Sequence, residues 1–334
     1  MFQTEINHFF QSFASDGLTT FMRLITTLGY MEFFMLFLIV LLLGINFKKA
    51  FLMFMVLIWT GAITFFFKDY FDLPRPFHVD NTVQLLDGKL PDEAAFDFSK
   101  RGATSFWAGL PADVLAEIRQ AEGVEHGFPS GHSSIAIAFW GALAFLFRKR
   151  WVIGLSIALM LLIPLSRLYL GVHFLADVLG GITLGAIILA AFYWVVLKPK
   201  KLQSFLDKHH YTIGLNGMTA ILLLPPFLFM PILSSKIYVL LAFMLGLGLG
   251  FLLLAQKGLP ADDGTAMQIV GRMCIGVFLF GGLRYLLTLI GAEIDLAENV
   301  WFDFFRNMVA GLALIWIGTE LSIRFGWFQR EKVA

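Results

Sequence analysis

Three groups of polar residues, set in an otherwise apolar chain, have the types and spacing that phosphoryl chemistry requires. The first, Lys68-Asp69-Tyr70-Phe71-Asp72-Leu73-Pro74-Arg75-Pro76, supplies an ammonium point charge and a planar guanidinium able to grip two phosphate oxygens. The second, Pro129-Ser130-Gly131-His132, opens an apolar run of helical length. A helix start there offers backbone N–H groups and the positive end of a dipole, Gly131 lets an anion approach the backbone, and His132 adds an imidazole. The third is Ser166-Arg167, followed by His173 and Asp177. A separation of four puts His173 and Asp177 on one helical face, where the carboxylate can hold one ring nitrogen and leave the other to attack.

The elements that must position these groups follow from composition. Of 334 residues, 58% are hydrophobic and 15% charged, with 37 phenylalanines and a mean hydropathy of +0.77. A soluble domain carries about 25% charged residues, so the chain is expected to be an all-α, polytopic membrane helix bundle. Apolar runs near 28–46, 50–69, 130–147, 151–167, 176–197, 212–232, 236–255, 268–290 and 304–324 give nine predicted spans. At roughly 20 residues each these use about 180 residues, which excludes a soluble enzyme on a single anchor. A net charge of +1 excludes a nucleic-acid partner. The lone Cys274 excludes an intrachain disulfide and a cysteine metal cluster. No cleavable signal pattern is expected within residues 1–20. The segment from Ile6 to Met22 spaces its apolar residues roughly as one helical face and is expected to lie along the membrane interface.

Basic loops at Lys48-Lys49, Arg148-Lys149-Arg150, Lys198 with Lys200-Lys201, and the tail with Arg324, Arg330 and Lys332 fall on one side if nine spans alternate, and that side is expected to be cytoplasmic. The opposite side then holds all three polar groups and the long connection 77–128, which carries nine acidic residues and four Lys or Arg. Within that connection, Pro111 and Asp113 ahead of Val114, Leu115 and Ile118 predict a short capped helix. Residues 1–200 read as the core that carries the motifs, and 201–334 as an added four-helix membrane region.

Together, Lys68-x6-Arg75-Pro76, Pro129-Ser130-Gly131-His132 and Ser166-Arg167-x5-His173-x3-Asp177 resemble, intact and in order, the three signature motifs of the type 2 phosphatidic acid phosphatase superfamily. The nine-span arrangement resembles its sphingosine-phosphate phosphatase and glucose-6-phosphatase branches. The resemblance implies a phosphatase that uses no cofactor and no metal. His173 would be the nucleophile, oriented by Asp177, and His132 would protonate the leaving oxygen. Lys68, Arg75, Ser130, Gly131 and Arg167 would bind the phosphate. The expected substrate is a lipid phosphate or diphosphate taken from the bilayer at the extracytoplasmic face, with a bacterial plasma membrane as the expected location. A sugar-phosphate phosphatase, a lipid phosphotransferase, and a transporter or scaffold with a vestigial site are the alternatives. A vanadate-dependent haloperoxidase shares the residue set, but the apolar composition argues against it.

Other polar residues carry plainer expectations. His78 and His126 read as exposed loop histidines, and His209-His210 as part of a solvated loop. Arg284 is expected in a structural ion-pair group with Arg306, Asp303 and Asp295, and Glu320 with Arg324 four residues on. Gly246, Gly248, Gly250, Gly281 and Gly282 are expected to permit close helix contact.

Overall fold

The computed structural model describes residues 1–88, 97–121, 124, 126–199, 234–296 and 299–331. The described residues are helical, with no β-strand beyond one isolated antiparallel bridge between Pro260 and Arg330. In chain order the helices are α1 (Glu5–Gln11), α2 (Asp16–Thr27), α3 (Met31–Ile45), α4 (Phe47–Phe71), α5 (Pro76–Val79), α6 (Ala112–Gln120), α7 (Gly131–Phe147), α8 (Arg150–Tyr169), α9 (Leu175–Leu197), α10 (Ser235–Lys257), α11 (Ala266–Glu293) and α12 (Val300–Arg324). Among the described residues six helices are long and apolar enough to cross a membrane, or seven if α2 and α3, bent by 56° at their junction, make one span. The remaining short apolar helix is α7. The predicted run 212–232 and His209-His210 lie outside the described residues.

Local signals explain the boundaries that matter for the site. Ser15 caps α2 by accepting from the Leu18 N–H. Ser130 does the same for α7, accepting from Ser133 N–H. Arg148, at φ 52°, ends α7, and α8 starts two residues later, so the basic Arg148-Lys149-Arg150 turn separates two apolar helices. The predicted short helix is present as α6, with Pro111 at its N-cap and Asp113 in its first turn.

The chain divides into two compact units, Met1–Phe34 with Ile63–Ala191, and Met35–Ala62 with Phe192–Ala334. In the first, Met22, Tyr169, Leu170 and Val172 form one apolar cluster, and Val79, Val114, Ile118 and Phe174 another. These two clusters hold the turn between α8 and α9 from both sides. Helix α9 approaches the start of α7 at backbone distance, because a Cβ on Gly181 would collide with the Ser130 carbonyl and one on Gly185 with that of Ser134.

In the second unit α10 packs on α12 through Gly246 and Gly250, where a Cβ would strike Met308 and Ile315. Gly281, in contrast, faces open space. Glu320 does not use Arg324, which is exposed. Both its carboxylate oxygens accept from Arg330 Nη2, at 2.7 and 2.8 Å, because the tail folds back and pairs Glu331 N–H with the Leu259 carbonyl. Arg306 pairs with Asp303 at 2.6 Å and donates to Thr288, while Arg284 is exposed on α11.

Candidate active site

All the residues singled out for phosphate chemistry lie in the first unit, and the structure brings them around one imidazole. His173 sits in the turn between α8 and α9, 2% exposed. Its Nδ1 is 3.1 Å from Asp177 Oδ2, and the same oxygen accepts from the Phe174 N–H at 3.0 Å. The bond to a carboxylate fixes the proton on Nδ1 and leaves the lone pair on Nε2. Burial pushes the His173 pKa well below its usual 6.5, and Arg75, Lys68, Arg167 and His132 push in the same direction. The ring is therefore neutral, and nucleophilic, at neutral pH.

The cations come from three elements. Lys68, on the last turns of α4, donates to the His126 carbonyl and, at 3.2 Å, to that of Gly127. Arg75 caps α5, and its Nη1 lies 3.5 Å from the Val172 carbonyl, one residue before His173. Arg167, 3% exposed on α8, donates from Nη1 to Thr26 Oγ1 at 2.6 Å. Its buried Nε has no partner among the described residues. The carbonyls and the hydroxyl that these cations meet orient them, and three cations beside one imidazole suit an anion.

The α7 start completes the arrangement. Ser130 is fully buried, its N–H bonded to the Asp177 carbonyl at 2.9 Å and its hydroxyl accepting from that of Ser133 at 3.0 Å. A Cβ at Gly131 would meet only Thr64 Cγ2, at an ordinary 3.7 Å. Packing within the protein does not demand glycine there, which fits a position reserved for the approach of something else. His132 follows, with its ring edge-on to Tyr30. Among the described residues no group of three His, Cys, Asp or Glu side chains is placed to hold a metal ion.

Two histidines differ from their expected places. His78 is 2% exposed, because Pro76 starts α5 and turns the chain so that His78 Nδ1 accepts from the Arg75 N–H at 3.1 Å. His126 is half-buried, its Nδ1 3.1 Å from the Lys68 carbonyl and its Nε2 3.0 Å from the Asp72 carboxylate. Both brace the first motif. The structure also adds residues outside every motif. Asn7, fully buried on α1, donates to the carbonyls of Leu168 and His173 at 3.1 and 3.0 Å. Thr4 and His8, flanking it, bond to Asp80 just beyond the first motif. Burial alone would raise the Asp80 carboxyl, but hydrogen bonds from Thr82, Thr4 and His8 outweigh it and hold the group at about 2. The one sequence hint for Asn7 is a polar residue between Ile6 and Phe10 on a helix face that otherwise packs inward.

Residues 49–201, just under half of the chain, match the PAP2 superfamily. The chain is 34% identical over 90 residues to phosphatidylglycerophosphatase B of Bacillus subtilis, covering 24% of this chain and 43% of that one. It is 36% identical over 86 residues to lipid phosphate phosphatase gamma of Arabidopsis thaliana, covering 21% and 36%. It is 32% identical over 94 residues to a lipid A 4'-phosphatase of Bacteroides thetaiotaomicron, covering 28% and 42%. The matches thus span less than half the length of these relatives. No solved structure matches the chain.

Proposed function

We propose that the chain is a membrane phosphatase that hydrolyses a lipid phosphate or diphosphate through a phosphohistidine, without a metal ion. The observation that carries the reading is His173, held through Nδ1 by Asp177 and facing the cations Lys68, Arg75 and Arg167. In this reading His173 Nε2 attacks phosphorus in line, and the bond from phosphorus to the leaving oxygen breaks as His132 protonates that oxygen. Lys68, Arg75, Arg167, Ser130 and the backbone at Gly131 stabilise the equatorial oxygens. Water then attacks the phosphohistidine, His132 takes its proton, and cleavage of the phosphorus–nitrogen bond returns inorganic phosphate and neutral His173. The names of the three relatives, each a phosphatase named for a lipid substrate, support a lipid phosphate as substrate.

The distribution of basic loops supports an extracytoplasmic site in a bacterial plasma membrane. A cysteine placed at Asp87 would then react with an impermeant thiol reagent applied outside, and one at Lys198 would not. The opposite pattern would put the chemistry in the cytoplasm.

The deciding experiment assays purified protein against phosphatidate, polyprenyl diphosphate, a sphingoid phosphate and hexose phosphate, with and without chelator and orthovanadate. Release of inorganic phosphate from a lipid, persistence in chelator and inhibition by vanadate are expected. Preference for hexose phosphate, transfer to an added lipid acceptor, or restoration of chelator-lost activity by magnesium would each replace part of this reading. Binding of lipid without turnover would replace all of it.

A further inference from the structure

The segment that joins α2 to α3 belongs to none of the three motifs and precedes the residues matched by the PAP2 superfamily. Three of its residues nevertheless reach the site. Thr26, 2% exposed, accepts from Arg167 Nη1 at 2.6 Å. The Tyr30 hydroxyl accepts a further hydrogen bond from the same guanidinium. The Tyr30 ring meets the His132 ring edge-on, with centroids 4.7 Å apart and planes at 86°. Gly29 lies between them, and a Cβ there would sit 2.7 Å from His132 Cδ2 and 3.0 Å from Ile163 Cγ2. The last turn of α2 closes through Gly29 N–H to the Thr26 carbonyl and Tyr30 N–H to that of Thr27, so these residues are held by their own backbone.

We propose that Thr26, Gly29 and Tyr30 form a positioning clip, a fourth element of the site that fixes the Arg167 guanidinium and the His132 imidazole in one relative geometry. The proposal rests on the phosphatase reading above. A guanidinium has five N–H donors. Two neutral acceptors, Thr26 and Tyr30, set its plane without neutralising it, and its buried Nε is left for a phosphate oxygen. Fixing the plane beforehand removes the ordering cost that a long side chain would otherwise incur when substrate binds. The same turn limits how far the His132 ring can move, and so where its proton meets the leaving oxygen. Gly29 supplies the room and Tyr30 the wall.

Two substitutions separate these effects. Thr26→Val keeps the shape and removes the acceptor, and is expected to weaken orthovanadate inhibition and raise KM by about tenfold, with a smaller change in kcat. Thr26→Ser should restore both. Gly29→Ala pushes His132 and is expected to lower turnover of phosphatidate, a poor leaving group, by about tenfold or more. The first-turnover burst of p-nitrophenol from p-nitrophenyl phosphate, whose leaving group needs no proton, should stay within about twofold, because His132 acts on that substrate only in the later hydrolysis of the phosphohistidine. Thr27→Val, on the exposed side of the same turn, should change neither. The clip is refuted if Val and Ser at Thr26 behave alike, or if Gly29→Ala slows the first-turnover burst of p-nitrophenol as much as it slows turnover of phosphatidate. A wild type that hydrolyses neither substrate yet binds vanadate with the same dependence on Thr26 would refute the phosphatase reading and keep the clip.

Discussion

Both units of this protein bury charge, and they do so in opposite ways. Among the described residues of the second unit, buried charges meet a complement or a dipole. Lys48 pairs with Glu331 at 3.1 Å, with both side chains almost fully buried, and Arg330 grips Glu320. Asp262 takes the Phe47 N–H at 2.8 Å and the Asn46 amide at 2.6 Å, and Arg272 bonds to the Asp263 carbonyl and stacks 3.9 Å from the Phe328 ring. In the first unit Lys68, Arg75, Arg167 and His132 all press on His173 with one sign. Matched buried charges hold loops together. Cations in excess of the one carboxylate, Asp177, repel one another, and their field would favour an anion.

The largest expected effect tests the cation-rich cluster. His173→Ala removes the proposed nucleophile and should lower turnover per folded molecule by about four orders of magnitude or more, with no phosphoenzyme trapped. Phosphate trapped elsewhere in that variant would move the nucleophile. Because the pKa of His173 is lowered, its neutral form persists as pH falls, so the acid limb of kcat/KM should lie below the usual histidine value of 6.5. A limb at or above 6.5 would show that the cations do not act on this ring as inferred.

The next effect belongs to the matched region. Lys48→Met leaves Glu331 without its partner in a nearly closed site and should destabilise the fold by about 3 kcal/mol, read as a lower melting midpoint in detergent. Turnover per folded molecule should hold. Arg167→Met should do the reverse, lowering kcat/KM about a hundredfold or more while stability holds or rises, since one like charge leaves a repulsive group. If both variants lose stability and activity together, the distinction between the two kinds of buried charge fails.

Much of the site was legible in the sequence because its residues are rare there. Lys68, Arg75, Ser130, Gly131, His132, Arg167, His173 and Asp177 stand out against long apolar runs, and their spacing alone pairs His173 with Asp177. The helices were legible for the same reason, as apolar runs of membrane length bounded by charge. Asn7, Thr26 and Tyr30 were not. Each is a single polar residue with no spacing rule to its partner, and Asn7 meets its carbonyls more than 150 positions along the chain. His78 and His126 were misjudged because loop residues are exposed by default, and here the loop folds down over the end of α4 to bond with it.

The smallest expected effect separates a rule of local spacing from long-range folding. Glu320 and Arg324, four apart on α12, have the spacing of a helical ion pair, and such pairs contribute about 0.3–0.5 kcal/mol. The structure instead gives Glu320 to Arg330, whose other arm donates to the Gly258 carbonyl at 3.1 Å. Glu320 is 18% exposed and Arg330 27%, so solvent screens the pair only in part, and contact with both carboxylate oxygens places it at the upper end of such contacts, near about 1 kcal/mol. Arg330→Gln should therefore lower stability by about 1 kcal/mol, and Arg324→Gln by an amount too small to measure. In a double-mutant cycle, Glu320→Gln should couple to Arg330→Gln and not to Arg324→Gln. Coupling to Arg324 alone would mean that the tail does not fold back on the 258–261 loop, and the matched region would lose one of the pairs that define it.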